Sequence, residues 1–146
     1  MFQIESRIIT SALSAAKQLK ADSVILCAGK HGVIFATRSD AGTFLSLLTK
    51  EKQQEATTGL RIEDLTNAMY RIPILEMEIT DDNVTIKSKK VRSVIRLSSE
   101  RVDSGNLMEL WDKRNEAGNE VPALSRMLSE NRELFIIKDH VGGKPV

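Results

Sequence analysis

A chain of 146 residues with a formal net charge of +1 and 28% charged side chains reads as one domain, or one domain with an appendage. The balance excludes a strongly basic nucleic-acid binder and an acidic-tail protein, so any nucleic-acid contact must be local. One cysteine excludes a disulfide framework, and a chain this long buries roughly 70% of its unfolded surface without such a staple. That residue, Cys27, lies in an apolar run, where core filling competes with a reactive thiol, and a reducing cytoplasmic setting is expected. MFQIESRIITSAL lacks a cationic segment followed by an uninterrupted apolar one, and no run of about 18 apolar residues occurs. Neither a signal peptide nor a membrane span is expected.

Phe2 to Ile4 alternates apolar and polar and predicts a short strand, after which Ser6 is the expected N-cap of a helix. Ile9, Ala12, Leu13, Ala16 and Leu19 recur at helical spacing from Arg7 to about Lys20, with Arg7, Ser11, Ser14 and Gln18 on the solvent face and Lys17 on its flank. Residues 23–28 read as a buried strand, GKHG at 29–32 as a turn, and VIFATR at 33–38 as the next strand. A turn at 39–42 and a strand at 43–49 close a meander. The charged loop 50–55 and a short extended segment at 56–61 lead into IEDLTNAMYRI, a helix with Ile62, Leu65, Ala68, Met69 and Ile72 on one stripe and Glu63, Asn67 and Tyr70 on the other.

Three alternating strands follow, ILEMEIT, NVTIKS and VRSVIRL. A two-residue loop at Asp81 and Asp82 sets Ile79 against Val84, Met77 against Ile86 and Glu76 against Lys87, so one face is apolar and the other charged. A second tight turn at Lys89 and Lys90 is expected to place Val84 opposite Ile95 and Lys87 beside Arg92. From residue 2 to 98, strand, helix and three strands thus occur twice, an α+β fold made of a duplicated βαβββ unit with helices on one face of antiparallel sheets.

From Glu100 the composition changes. Asn106 and Glu109 have capping-box spacing ahead of the helix LMELWDKRNEA, Pro122 starts another, PALSRMLSEN, and ELFIIKDH at 133–140 reads as a strand before a glycine-containing end. The expected organisation is a domain at 1–99 and, at 100–146, an appendage or the start of a truncated next domain.

The duplicated order, with IITSALSAAKQLKADSVILCAGKHGVIFATRSDAGT opening the first half and GLRIEDLTNAMYRIPILEMEITDDNVTIKSKKVRSVIRL forming the second, resembles one domain of the DNA sliding clamps, the family of the bacterial β clamp, proliferating-cell nuclear antigen and the phage clamps. The resemblance covers about two-thirds of the chain, and its atypical length fits a phage-encoded clamp. It implies a ring of six such domains whose helices line a bore around duplex DNA and whose contacts are weak and sequence-independent. DNA-facing candidates are then Arg7, Ser11, Ser14, Lys17, Gln18, Lys20, Asn67, Tyr70 and Arg71. The implied partners are duplex DNA, a DNA polymerase or other clamp-binding proteins, and further copies of the chain. In such a fold the cations Lys87, Lys89, Lys90, Arg92, Arg96 and Arg101 lie on the sheet and its turns, away from the bore.

Nothing in the chain carries catalytic or cofactor chemistry. Gly29-Lys30 lacks the earlier glycine and following Ser or Thr of a phosphate-binding loop. Cys27 and His31 straddle a turn with no second ligand pair for zinc, and no nucleophile matches the pair Asp139 and His140. No enzyme, cofactor or metal is expected. The competing reading is a clamp-fold interaction module that binds protein and not DNA. Edge strands favour pairing, which makes Val91, Arg92, Val94 and Arg96 interface candidates. Trp111, with Leu107, Met108 and Leu110, forms either a satellite core or an anchor for a partner.

Overall fold

The computed structural model describes residues 1–39, 42–88, 94–103, 105, 107–112, 134–137, 140, 141, 144 and 145. In chain order they form β1 (Phe2–Glu5), α1 (Ser6–Gln18), β2 (Ser23–Gly29), β3 (Gly32–Ser39), β4 (Gly42–Thr49), β5 (Ala56–Arg61), α2 (Ile62–Ala68), β6 (Ile74–Ile79), β7 (Asn83–Ser88), β8 (Val94–Ser98), β9 (Glu100–Arg101), α3 (Leu107–Asp112), β10 (Leu134–Ile137), β11 (His140–Val141) and β12 (Lys144–Pro145). Strand, helix and three strands occur twice, as the sequence predicts, and the fold is α+β with antiparallel sheets.

The leading strands are exchanged between the two units. β1 pairs with β6 at the edge of a four-stranded sheet, β1-β6-β7-β8, while β5 pairs with β2 inside a six-stranded sheet, β10-β4-β3-β2-β5-β9. Each unit therefore completes the sheet of the other, and the two share one core. The inward residues answer each other in register: Ile4, Ile9, Ala12 and Leu13 in the first half, Leu60, Leu65, Ala68 and Met69 in the second, all buried. Val24, Leu26 and Ala28 on β2 are matched by Leu75, Met77 and Ile79 on β6. A strand's alternation sends these side chains to one face, and the helices' 3.6-residue period brings their own apolar stripes onto it.

Two equivalent hydrogen bonds lock the helices. The Ser6 N–H donates to the Pro73 carbonyl at 2.9 Å and the Ile62 N–H to the Asp22 carbonyl at 3.0 Å. The start of each helix is thus tied to the chain just past the end of the other, so α1 and α2 lie antiparallel. Asp81 ties the sheets together, its Oδ1 accepting the Thr57 N–H at 3.0 Å.

Several sequence expectations are corrected. Ser6 is the first helical residue and not the N-cap; Glu5 takes that place in extended geometry, without a side-chain cap, its carboxylate accepting instead from the Arg7 guanidinium. α2 ends at Ala68, a turn short of Ile72, since Pro73 disfavours helical geometry at Ile72 and Arg71 turns to φ 61°. The Asp81-Asp82 hairpin has the expected register, with Glu76 opposite Lys87. The next pairing does not: Val84 faces Leu97, Ile86 faces Ile95 and Lys87 faces Val94. A two-residue turn at Lys89 and Lys90 cannot give that register. The offset is even, so the apolar face is preserved. Residues 89–93 lie outside the described residues, as do the turn at 40–41, Asn106 with its capping box, the 113–118 end of the third predicted helix, the helix at Pro122 and Asp139 beside His140.

The far face of the six-stranded sheet is also covered. Leu107 and Trp111 of α3 bury against Cys27, Ile34, Ala36, Leu45 and Leu47. β10 pairs along the outer edge of β4, and β9 along β5.

Candidate nucleic-acid interface

The polar sides of α1 and α2 are left over once their apolar stripes enter the core. Because the helices run antiparallel, these sides meet in a groove of about 580 Å³. Its walls carry Ser6, Thr10, Ser14 and Lys17 from α1 and Thr66, Tyr70 and Arg71 from α2 and its end, over a floor that includes Leu13, Met69, Ile72 and Pro73. None of the lining residues is a carboxylate. The Thr66 hydroxyl donates back to the Ile62 carbonyl at 2.8 Å, which leaves its oxygen as an acceptor. A second hollow at the other end of the helix pair is mixed in charge, with Lys17 and Arg61 against Asp22 and Glu63. Arg61 is paired there with Glu63 at 3.5 Å.

The expected DNA-facing residues divide along this geometry. Ser14, Lys17, Tyr70 and Arg71 line the first groove, and Lys17 and Asn67 line the second. Arg7, Ser11, Gln18 and Lys20 line neither. Arg7 is exposed but forms an ion pair with Glu5, which offsets its charge. Thr10, Thr66, Ser6 and Arg61 escape the sequence reading. Thr10 lies one turn before Ser14 and two before Lys17, a spacing from which it could have been found.

Lys20 and Arg71 share an uncommon backbone. Both have φ 61°, Lys20 two residues past the end of α1 and Arg71 three past the end of α2. At Lys20 the arrangement is a full Schellman closure, with the Ala21 N–H donating to the Ala16 carbonyl and the Lys20 N–H to the Lys17 carbonyl, both at 3.0 Å. Left-handed geometry costs a non-glycine residue about 1 kcal/mol, and both halves place a cation there. Arg71 lies over the Tyr70 ring, its guanidinium carbon 5.2 Å from the ring centre.

Among the described sheet cations, Lys87, Arg96 and Arg101 line neither hollow. Lys87 stands opposite Glu76, on the face away from the core-facing Val84 and Ile86. Val94 and Arg96 are exposed on β8, the outer strand of the four-stranded sheet, while Val91 and Arg92 lie outside the described residues. Trp111 is 4% exposed and serves as satellite core on the six-stranded sheet; its ring is not offered to a partner. Among the described residues no cluster of His, Cys, Asp and Glu could hold a metal ion, and no helix is long and apolar enough to cross a membrane.

Two interlocked βαβββ units with paired helices on one side define a clamp-like domain. No protein-family model and no curated protein sequence matches the chain. Solved structures do match in fold. The chain is similar to an H. pylori β clamp in complex with diflunisal, with a TM-score of 0.55, 15% identity, and 70% of this chain and 30% of that one covered. It is similar to the β subunit from DNA polymerase of Streptococcus pyogenes at a TM-score of 0.54 and 16% identity, and to an H. pylori β clamp in complex with 5-chloroisatin at 0.54 and 15%, with the same coverage. The chain spans about 30% of the length of these structures.

Proposed function

We propose that this chain is a sliding-clamp-like processivity factor, or part of one, that encircles duplex DNA and tethers a polymerase or another DNA-processing protein without catalysing a reaction itself. The observation that carries the reading is the groove between α1 and α2, where Lys17 and Arg71 stand among hydroxyl groups on a lining that contains no carboxylate, although Lys17 also borders the second hollow with Asp22 and Glu63. Cations and hydroxyls reach phosphate oxygens and carry no base code, so contacts exchange as the protein moves along the duplex. Residence on DNA then comes from closure of a ring and not from tight binding.

Residues 1–99 act as the clamp domain and 100–146 as its appendage or as the start of a further domain. Closure uses sheet edges. Among the described residues β8 pairs on one side only, with β7, and it exposes Val94 and Arg96, which makes it the ring-forming edge in this reading. The fold likeness to clamps supports this assembly and a cytoplasmic setting.

The test is topological. The full chain is incubated with a nicked circular duplex and with the same duplex linearised, and protein retained on each is measured after gel filtration. Encirclement predicts retention on the circle and run-off from the linear form. Equal retention on both, or none on the circle, contradicts encirclement by this chain.

A further inference from the structure

Tyr70 is the most exposed large apolar side chain among the described residues, at 71%, and it stands on the wall of the groove between the helices. A tyrosine so placed stabilises nothing by burial. Its neighbour Arg71 adopts φ 61° and sets its guanidinium over the ring, so an aromatic face and a cation stand together on the groove wall. Lys17 supplies a second cation in the same groove, whose 580 Å³ is of the size that takes a small ligand. Duplex DNA uses only part of this: its phosphates meet Lys17 and Arg71, but its base faces are stacked on one another and leave Tyr70 idle.

We propose that the Tyr70–Arg71 surface binds an unpaired nucleobase of a single strand, by stacking on the ring while Lys17 and Arg71 hold the flanking phosphates. The proposal deepens the nucleic-acid reading of this groove and rests on it. An aromatic ring and an arginine beside a phosphate-binding cation are the components with which proteins hold single strands without reading their sequence. Every base has a π-face, so the site is indifferent to which base it takes.

The experiment measures binding of the full chain, at low ionic strength, to a fluorescent oligothymidylate and to an abasic sugar-phosphate strand of the same length and charge. The wild type is expected to prefer the thymine strand by about tenfold. Tyr70→Ala abolishes that preference and Tyr70→Phe keeps it, because stacking needs the ring and not the hydroxyl. Equal affinity of the wild type for the two strands, no binding to either, or a preference that survives Tyr70→Ala overturns the proposal. A chain that is retained on circular duplex yet ignores the bases contradicts this inference alone, and one that prefers bases but runs through the circle test without retention contradicts only encirclement.

Discussion

Gly32 holds φ 105°, and a Cβ there would stand 1.9 Å from the Thr49 carbonyl oxygen. Gly29, at the other end of the same turn, has nothing within 4 Å of such a carbon. Gly32→Ala is therefore expected to destabilise the fold by about 2 kcal/mol or more, and Gly29→Ala to leave the urea midpoint nearly unchanged. GKHG announces the turn in the sequence. Which glycine is irreplaceable is not legible, because it depends on the register shift between Val33 and Ile34 that brings Thr49 close. Cys27 makes a second residue-scale prediction. Burial pushes its thiol above the ordinary value of 9.0, with a hydrogen bond involving Thr57 acting in the opposite sense. A raised folded value favours the protonated thiol, so its stabilisation is complete below the unfolded value and is lost as pH rises through the folded one. Urea unfolding of the wild type is expected to lose stability above about pH 9, and Cys27→Ala to lack that component. Native alkylation at neutral pH should be slow and fast only in denaturant.

At the scale of elements, α3 is the addition that the duplication does not require. Trp111 and Leu107 seal the outer face of the six-stranded sheet, and truncating a buried tryptophan costs about 3 kcal/mol or more. Trp111→Ala should lower the thermal midpoint accordingly, with Trp111→Phe milder; an unchanged midpoint would mean that α3 does not hold the sheet. The order of strands and helices and the Asp81-Asp82 register were readable because alternation and turn chemistry are local. The exchange of β1 and β5 was not, since alternation tells which face of a strand is buried and not which strand lies beside it. The β7–β8 register was missed for a related reason: Val84 and Leu97 satisfy the same apolar pattern as Val84 and Ile95. The end of α2 was written in Pro73, but apolar Met69 and Ile72 prolonged the helical pattern past it.

For the whole molecule, the two halves are bound into one unit by shared sheets, a common core and the reciprocal bonds from Ser6 to Pro73 and Ile62 to Asp22. That closure turns two polar helix faces into one groove. The faces themselves were legible from the 3.6-residue period. Their meeting was not, because it follows from the antiparallel lock, and so Ser14, Lys17, Tyr70 and Arg71 come together while Arg7 stands apart with Glu5. The central claim, that this groove faces DNA, is tested most directly by the salt dependence of duplex binding. Each lost phosphate contact lowers the slope of log affinity against log salt by about 0.9. Reversing Lys17 and Arg71 to Glu is predicted to reduce the slope by at least about 1.8, with Arg7→Glu adding little, while the urea midpoint holds. A slope equal to that of the wild type would contradict the account.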